Sequence, residues 1–203
     1  MIENDRRPSR RKILTTAASA AGGLMLVVDG GLSQQAVSPT PACHDGDDKP
    51  TLPEIEGPFF KPASPLRGNL REAGIAGRPL ELAGTVLTRS CRPVAGALIE
   101  LWHADDQGEY DTKGFRLRGH LFADAKGHYA FQTIMPGLYP GRTRHFHVKV
   151  QAAAESPTLT TQLYFPDEPL NRSDGLFRRE LVMRVNHADD RLLGRFDFVL
   201  DLG

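Results

Sequence analysis

Along residues 80–87, 97–102, 129–134, 145–150, 159–165, 181–185 and 195–200, apolar and polar positions alternate or β-branched and aromatic residues accumulate. A two-residue period sends successive side chains to opposite faces, so these segments are predicted as strands that each offer one face to a core. Gly- and Asp-rich stretches such as 124–127 separate them and predict turns. Roughly seven short strands in about 160 residues predicts an all-β fold: a single β-sandwich domain over residues 80–203, with ligand-bearing loops at the strand edges. Residues 171–179 are expected to form a short helical turn. Residues 186–193, with two Asp and Arg191, are expected to be a surface connection. The pattern contains no internal repeat, no glycine-rich phosphate cradle and no nucleophile elbow.

The N-terminal residues carry a different pattern. Ser9-Arg10-Arg11-Lys12-Ile13-Leu14 precedes an Ala- and Gly-rich apolar run over residues 17–28. This predicts a twin-arginine export signal with its polar spacer over residues 1–36, cleaved between Ala36 and Ala42. A periplasmic or secreted location follows, with no stable membrane anchor after cleavage, because the apolar run is too short to span a bilayer. A disordered basic tail beside a short buried helix is the alternative. Residues 37–79 are expected to form an extended arm.

The whole chain has formal net charge +0. Without residues 1–36 the 25 Lys/Arg and 25 Asp/Glu become 20 and 22. Such a balance gives no basic footprint for nucleic acid. Two cysteines occur, Cys43 and Cys91. Both lie beyond the export signal, and in an oxidising compartment a Cys43–Cys91 disulfide is expected; two separate thiols are the alternative.

The candidate chemistry begins with His145 and His147, which share one face of a predicted strand and can grip one ion. Imidazole serves zinc, copper, iron and nickel alike, so the pair alone does not choose a metal. Two tyrosines narrow the choice: Tyr110 in Gly108-Glu109-Tyr110-Asp111, and Tyr139 in Pro136-Gly137-Leu138-Tyr139-Pro140-Gly141-Arg142. A phenol with reference pKa near 10 becomes a ligand only where a strongly polarising cation removes its proton, which ferric iron does readily. Two phenolates and a hydroxide would balance the charge of Fe(III). Each residue also has an ordinary reading: Tyr110 as a loop tyrosine, Tyr139 as an aromatic over a core edge, Arg142 and Arg144 as a solvated basic turn, Gln162 as an exposed strand residue. His44, His103, His120, His128 and His187 form no joint pattern and are read as structural or solvent-facing, His103 being the closest in sequence to Tyr110.

Taken in order, these residues and their surroundings resemble the intradiol ring-cleavage dioxygenases. The resemblance is carried by Glu56-Gly-Pro-Phe-Phe60, by residues 93–110 with Leu101-Trp102-His103, by Phe115-Arg-Leu-Arg-Gly119, by residues 124–134, by residues 136–147, and by Thr161-Gln162-Leu-Tyr-Phe-Pro166. It implies that Tyr110, Tyr139, His145 and His147 ligate a non-haem Fe(3+), and that Tyr139 is the ligand that leaves and takes a proton from a catechol hydroxyl. It implies that Arg142 stabilises the electron-rich substrate and that Gln162 steers its oxygenated form. The expected partners are a catechol-type small molecule and O2, the expected product a cis,cis-muconate-type diacid, and a homo-oligomer is compatible with the resemblance.

Two departures from the family pattern stand out. Only five residues separate Tyr139 from His145, where familiar members carry a longer loop; this predicts a more open site that admits bulkier catechols. The helical dimerisation segment of the catechol and hydroxyquinol enzymes is not seen. Two other classes remain open at this point. One is a transthyretin-like binding module without activity; the other is a zinc hydrolase using His145, His147 and a carboxylate such as Asp111.

Overall fold

A computed structural model describes residues 49–202. The expected export signal with its cleavage site, the first part of the expected arm and Cys43 lie outside the described residues. Cys91 is disulfide-bonded, while the expected pairing with Cys43 rests on a residue beyond them.

Among the described residues nine strands form two facing sheets, so the fold is all-β: β1 (Pro79–Thr88), β2 (Leu98–Trp102), β3 (Arg118–Phe122), β4 (His128–Ile134), β5 (His145–Gln151), β6 (Thr158–Tyr164), β7 (Arg184–His187), β8 (Leu192–Arg195) and β9 (Phe198–Leu200). The four-stranded sheet has the order β3-β2-β5-β6. The other has the order β4-β1-β8-β7, with β9 also paired to β1. Alternation in sequence becomes alternation in burial: along β1, Leu80, Leu82, Val86 and Thr88 turn inward while Glu81, Thr85 and Leu87 do not. Phe131 of β4, Ile99 and Leu101 of β2, and Phe146, Val148 and Val150 of β5 meet them between the sheets. Burying each such large apolar side chain contributes roughly 1.5–3 kcal/mol.

Four expectations need correction. β3 carries no β-branched residue and has Gly119 as its second residue, so its sequence does not read as a strand. It forms because it pairs with β2 from Leu98↔Phe122 to Trp102↔Arg118. Its glycine also makes room for the arm, since a Cβ there would lie 2.7 Å from the Arg67 carbonyl. The expected surface connection 186–193 instead contains the end of β7 and the start of β8, which pair antiparallel across a tight turn. Residues 181–185 open with a 3-10 turn, Arg179–Leu181, and become strand only from Arg184. The expected single strand 195–200 is broken at Phe196 and Asp197.

That break has its cause in β1. Gly84 of β1 has no Cβ, and one built there would sit 1.7 Å from the Phe196 carbonyl oxygen. The Phe196 carbonyl therefore lies directly on the strand, accepting from the Tyr129 hydroxyl at 2.7 Å, while Asp197 accepts from the Thr85 amide at 2.7 Å. The chain thus pairs with β1 twice, as β8 before the kink and as β9 after it. The helical turn expected at 171–179 appears as two 3-10 turns bracketing it, Pro169–Arg172 and Arg179–Leu181.

The described part of the arm crosses the outer face of the four-stranded sheet. It is tied by Thr51 to Val199, by Glu54 to Thr160, and by bridges Leu66↔His120 and Asn69↔Gln132. This cover turns the outward face of β5 and β6 into a second buried layer.

Candidate metal centre

β5 places Phe146 and Val148 in the core and so directs His145 and His147 to the opposite face, under the arm. They are 5% and 3% exposed, which excludes a half-solvated strand pair. Gly57 lets the arm come this close, since a Cβ there would lie 3.1 Å from the His147 ring. The two Nε2 atoms are 3.2 Å apart. His145 Nδ1 donates to the Thr143 carbonyl at 2.7 Å, so the neutral ring presents the lone pair of Nε2. The Tyr110 hydroxyl lies 3.3 Å from that nitrogen.

Tyr110 sits in the β2–β3 connection, between two turns built by acidic side chains. Asp105 Oδ1 accepts the amides of Gln107 and Glu109 before it. Asp111 Oδ1 accepts the amides of Lys113 and Gly114, and Oδ2 that of Arg116, after it. The buried guanidinium of Arg118 then holds the Asp111 carbonyl from β3. Both Asp111 oxygens are thereby committed to its own turn, and the zinc-hydrolase reading loses its carboxylate ligand.

Tyr139 arrives from the β4–β5 crossover. The two tyrosine loops touch backbone to backbone: Gly137 N donates to the Asp105 carbonyl at 2.6 Å. A Cβ at Gly108 would lie 2.2 Å from the Leu138 oxygen, and one at Gly137 would lie 2.3 Å from the Gly108 nitrogen. Gly108 also has φ +89, a conformation that costs an L side chain energy. This glycine-to-glycine clasp brings the phenol rings to a centroid separation of 5.9 Å, edge to face.

Arg142 and Gln162 belong to the same cluster, and neither is the solvated residue of its ordinary reading. Arg142 donates through a terminal nitrogen to Gln162 Oε1 at 2.7 Å and through Nε to Asp174 Oδ2 at 2.8 Å. Gln162, fully buried on β6 beside His147, donates from Nε2 to the Ile55 carbonyl at 2.9 Å and accepts from the Tyr164 hydroxyl. Arg144 pairs with Glu168 and holds the Pro136 carbonyl, bracing the Tyr139 loop. His103 is buried outside the cluster: its Nδ1 donates to the Ala104 carbonyl and its Nε2 accepts from Thr133, a link between the two sheets.

Burial sets the electrostatics. Desolvation lowers His145 to about 4, and lowers His147 well below its usual range with help from His145 and Arg142. The Tyr110 hydroxyl is pushed up by burial, an effect that Arg142 and Arg118 only partly offset. At neutral pH the site therefore offers two uncharged imidazoles and a protonated phenol, a set that only a strongly polarising cation converts into an anionic ligand set. Two imidazole nitrogens and one phenol oxygen converging within about 3.3 Å, with Tyr139 beside them, fit a ferric ion.

Three contributors were not named as site residues from the sequence. Asp174 is a lone acid in an irregular stretch, yet one of its oxygens holds both Arg142 and the Thr143 amide. Trp102, the only tryptophan, stacks on His147 at 5.1 Å and 7°. Phe59 stacks on Tyr110 at 4.4 Å and 11°. The motifs around Trp102 and Phe59 were visible, but not the rings they would meet.

Residues 55–202 match the family model described as Dioxygenase. The chain is 33% identical over 137 residues to the protocatechuate 3,4-dioxygenase beta chain of Burkholderia cepacia, covering 59% of this chain and 57% of that one. It is 33% identical over 178 residues to the hydroxyquinol 1,2-dioxygenase of Nocardioides simplex, covering 81% and 56% respectively. The chain thus spans little more than half the length of these relatives. Among solved structures, the dioxygenase domain of a dioxygenase carbohydrate-binding protein fusion from the cellulolytic bacterium Streptomyces sp. SirexAA-E superposes with TM-score 0.74 at 51% identity, covering 76% of this chain and 100% of that one. The hydroxyquinol 1,2-dioxygenase of Pseudomonas putida DLL-E4 does so at 0.67 and 27%, covering 76% and 67%.

Proposed function

The chain belongs to the intradiol ring-cleavage dioxygenase family, and on that premise we propose that it is a non-haem Fe(III) enzyme that opens a catechol-type ring between its two hydroxylated carbons. The observation that carries this reading is the convergence of His145 Nε2, His147 Nε2 and the Tyr110 hydroxyl, with Tyr139 packed beside them. Tyr110, Tyr139, His145 and His147 would hold the ion. When bound, ferric iron supplies the Lewis acidity that ionises phenol and catechol hydroxyls and the electron demand that makes the bound ring reactive toward O2.

The chain's own residues do the rest. The Thr143 carbonyl keeps His145 in the tautomer with a free Nε2. Tyr139, half-buried and perpendicular to the rings of Phe59 and Tyr110, would be the phenol that moves aside and accepts a catechol proton at its oxygen. Arg142, oriented by Asp174, presents a permanent positive charge where negative charge gathers on the substrate. Gln162, locked by Ile55 and Tyr164, offers a fixed amide beside it. Both atoms of O2 enter the product as the carbon–carbon bond between the hydroxylated carbons breaks, so catechol plus O2 balances as a muconic acid. The short link between Tyr139 and His145, with Ile55 and Leu138 exposed at the rim, favours catechols with bulky substituents. Export by the twin-arginine route would deliver the protein folded and already metallated.

The test is an absorbance spectrum of the metal-analysed protein in air, before and after adding catechol. A visible phenolate-to-iron charge-transfer band that shifts with catechol while oxygen is consumed supports the reading. A protein that stays colourless after ferric reconstitution removes it.

A further inference from the structure

The arm places two consecutive aromatic rings against the ligand set. Phe59 lies face to face on Tyr110 at 4.4 Å and 11°, and meets Tyr139 only by its edge, at 5.5 Å and 77°. Tyr110 is thereby confined between the face of Phe59 and the imidazole of His147, whose ring lies 6.0 Å away at 60°. Phe60 packs on Trp102, which lies flat on the same imidazole. The segment that carries both rings is fastened at several points. The Lys149 ammonium pairs with Glu56 and sits 4.4 Å over the Phe60 ring. Lys61 donates to the carbonyls of Lys113 and Gly114, in the loop that follows Tyr110. A ring held this way cannot drift from Tyr110 without freeing the arm.

The contacts of the two phenols are therefore unequal. An offset stack biases a ring toward one pose by a factor of roughly two to ten. Tyr110 has that stack and a hydroxyl partner in His145, whereas Tyr139 has edge contacts. We propose that Phe59 is a positioning residue that holds Tyr110 in its ligand pose. The inference rests on the ferric reading of the site.

The test uses Phe59→Leu, which keeps an apolar side chain but no ring, and Phe59→Tyr, which restores the ring; Phe59→Met replaces Phe59→Leu if the latter does not fold. The chain has four tyrosines, so metal-free protein labelled with 3-fluorotyrosine gives a sparse fluorine spectrum, and Tyr110→Phe identifies the Tyr110 line. A ring-current shift of that line is expected in the parent and in Phe59→Tyr, and its loss in Phe59→Leu. In iron-loaded protein, Phe59→Leu is expected to release metal two- to tenfold faster to a chelator, with a weaker charge-transfer band per iron and an unchanged melting temperature before loading. Phe59→Tyr is expected to restore all of these. If either the fluorine line or the release rate is unmoved in Phe59→Leu, Phe59 does not position Tyr110. A parent protein that takes up no ferric iron instead overturns the reading of the site, and the two failures are told apart by the parent alone.

Discussion

Replacing Gly108 by alanine tests the clasp between the two tyrosine loops, and Gly96→Ala supplies its control. Both glycines have positive φ, +89 and +69, so both substitutions carry the backbone cost of about 1–2 kcal/mol for an L residue there, less the few tenths gained from a stiffer unfolded chain. They differ in what the new methyl meets. At Gly96 nothing lies within 4 Å, whereas at Gly108 the Leu138 oxygen would be 2.2 Å away and belongs to backbone that cannot rotate out of reach. Ordinary contact begins at 3.4 Å, so the loops must part by about 1 Å, at an overpacking cost of roughly 1–3 kcal/mol. The total is about 3 kcal/mol against about 1 for the control, or roughly 6–12 °C in melting temperature against 2–4 °C for a domain of this size. Because Tyr110 and Tyr139 each follow the contact by one or two residues, the same displacement moves both phenols, and a shift of ~1 Å at a reacting centre costs on the order of 10²-fold in rate. Denaturant melts, iron content and the charge-transfer spectrum read the two effects separately. A Gly108→Ala protein that melts with Gly96→Ala and keeps the parent spectrum would refute the clasp.

Asp174→Asn keeps the shape of the side chain but removes the charge that pairs with Arg142 and caps Thr143. It is expected to cost about 3 kcal/mol in urea unfolding, with iron content retained and kcat lowered; unchanged stability would sink that role. The pH dependence of the metal-free protein follows from His103 and His145, both lowered by burial to about 4 from an unfolded value near 6.5, and from His147, which burial also lowers well below that value. Between these values the unfolded chain binds more protons, so stability is fully present above about pH 6.5 and is lost as pH falls toward 4. The loss is on the order of 3 kcal/mol for each of His103 and His145, and denaturant titrations from pH 7 to 4 check it. A His103→Gln profile that falls as steeply as the parent's would show that His103 does not contribute.

Strands β1, β4 and β5 were legible because apolar and polar positions alternate along them, and β2 and β6 because β-branched and aromatic residues accumulate there; both are properties of one strand. β3 and β8 were not legible. One is held by its neighbour β2 and by the arm crossing at Gly119; the other is held by parallel pairing to β1. The break at Phe196 was invisible for a similar reason, since it is dictated by Gly84, more than a hundred residues away. The ordinary readings of Gln162 and Arg142 failed because they assumed solvent on a face that the arm covers.

The sequence by itself determined that His145 and His147 share a face, because the two-residue period is fixed by covalent geometry. It determined that acidic and glycine-rich turns flank Tyr110, because those turns are made by side chains bonding to their own backbone. Only the tertiary structure decided that the phenols meet the imidazoles, since Tyr110 and Tyr139 arrive on different connections and are joined by the contact of Gly108 with Gly137. It alone assigned Phe59, Trp102 and Asp174 to the site, because packing between segments distant in sequence depends on which surfaces the fold brings together, and no local pattern records it.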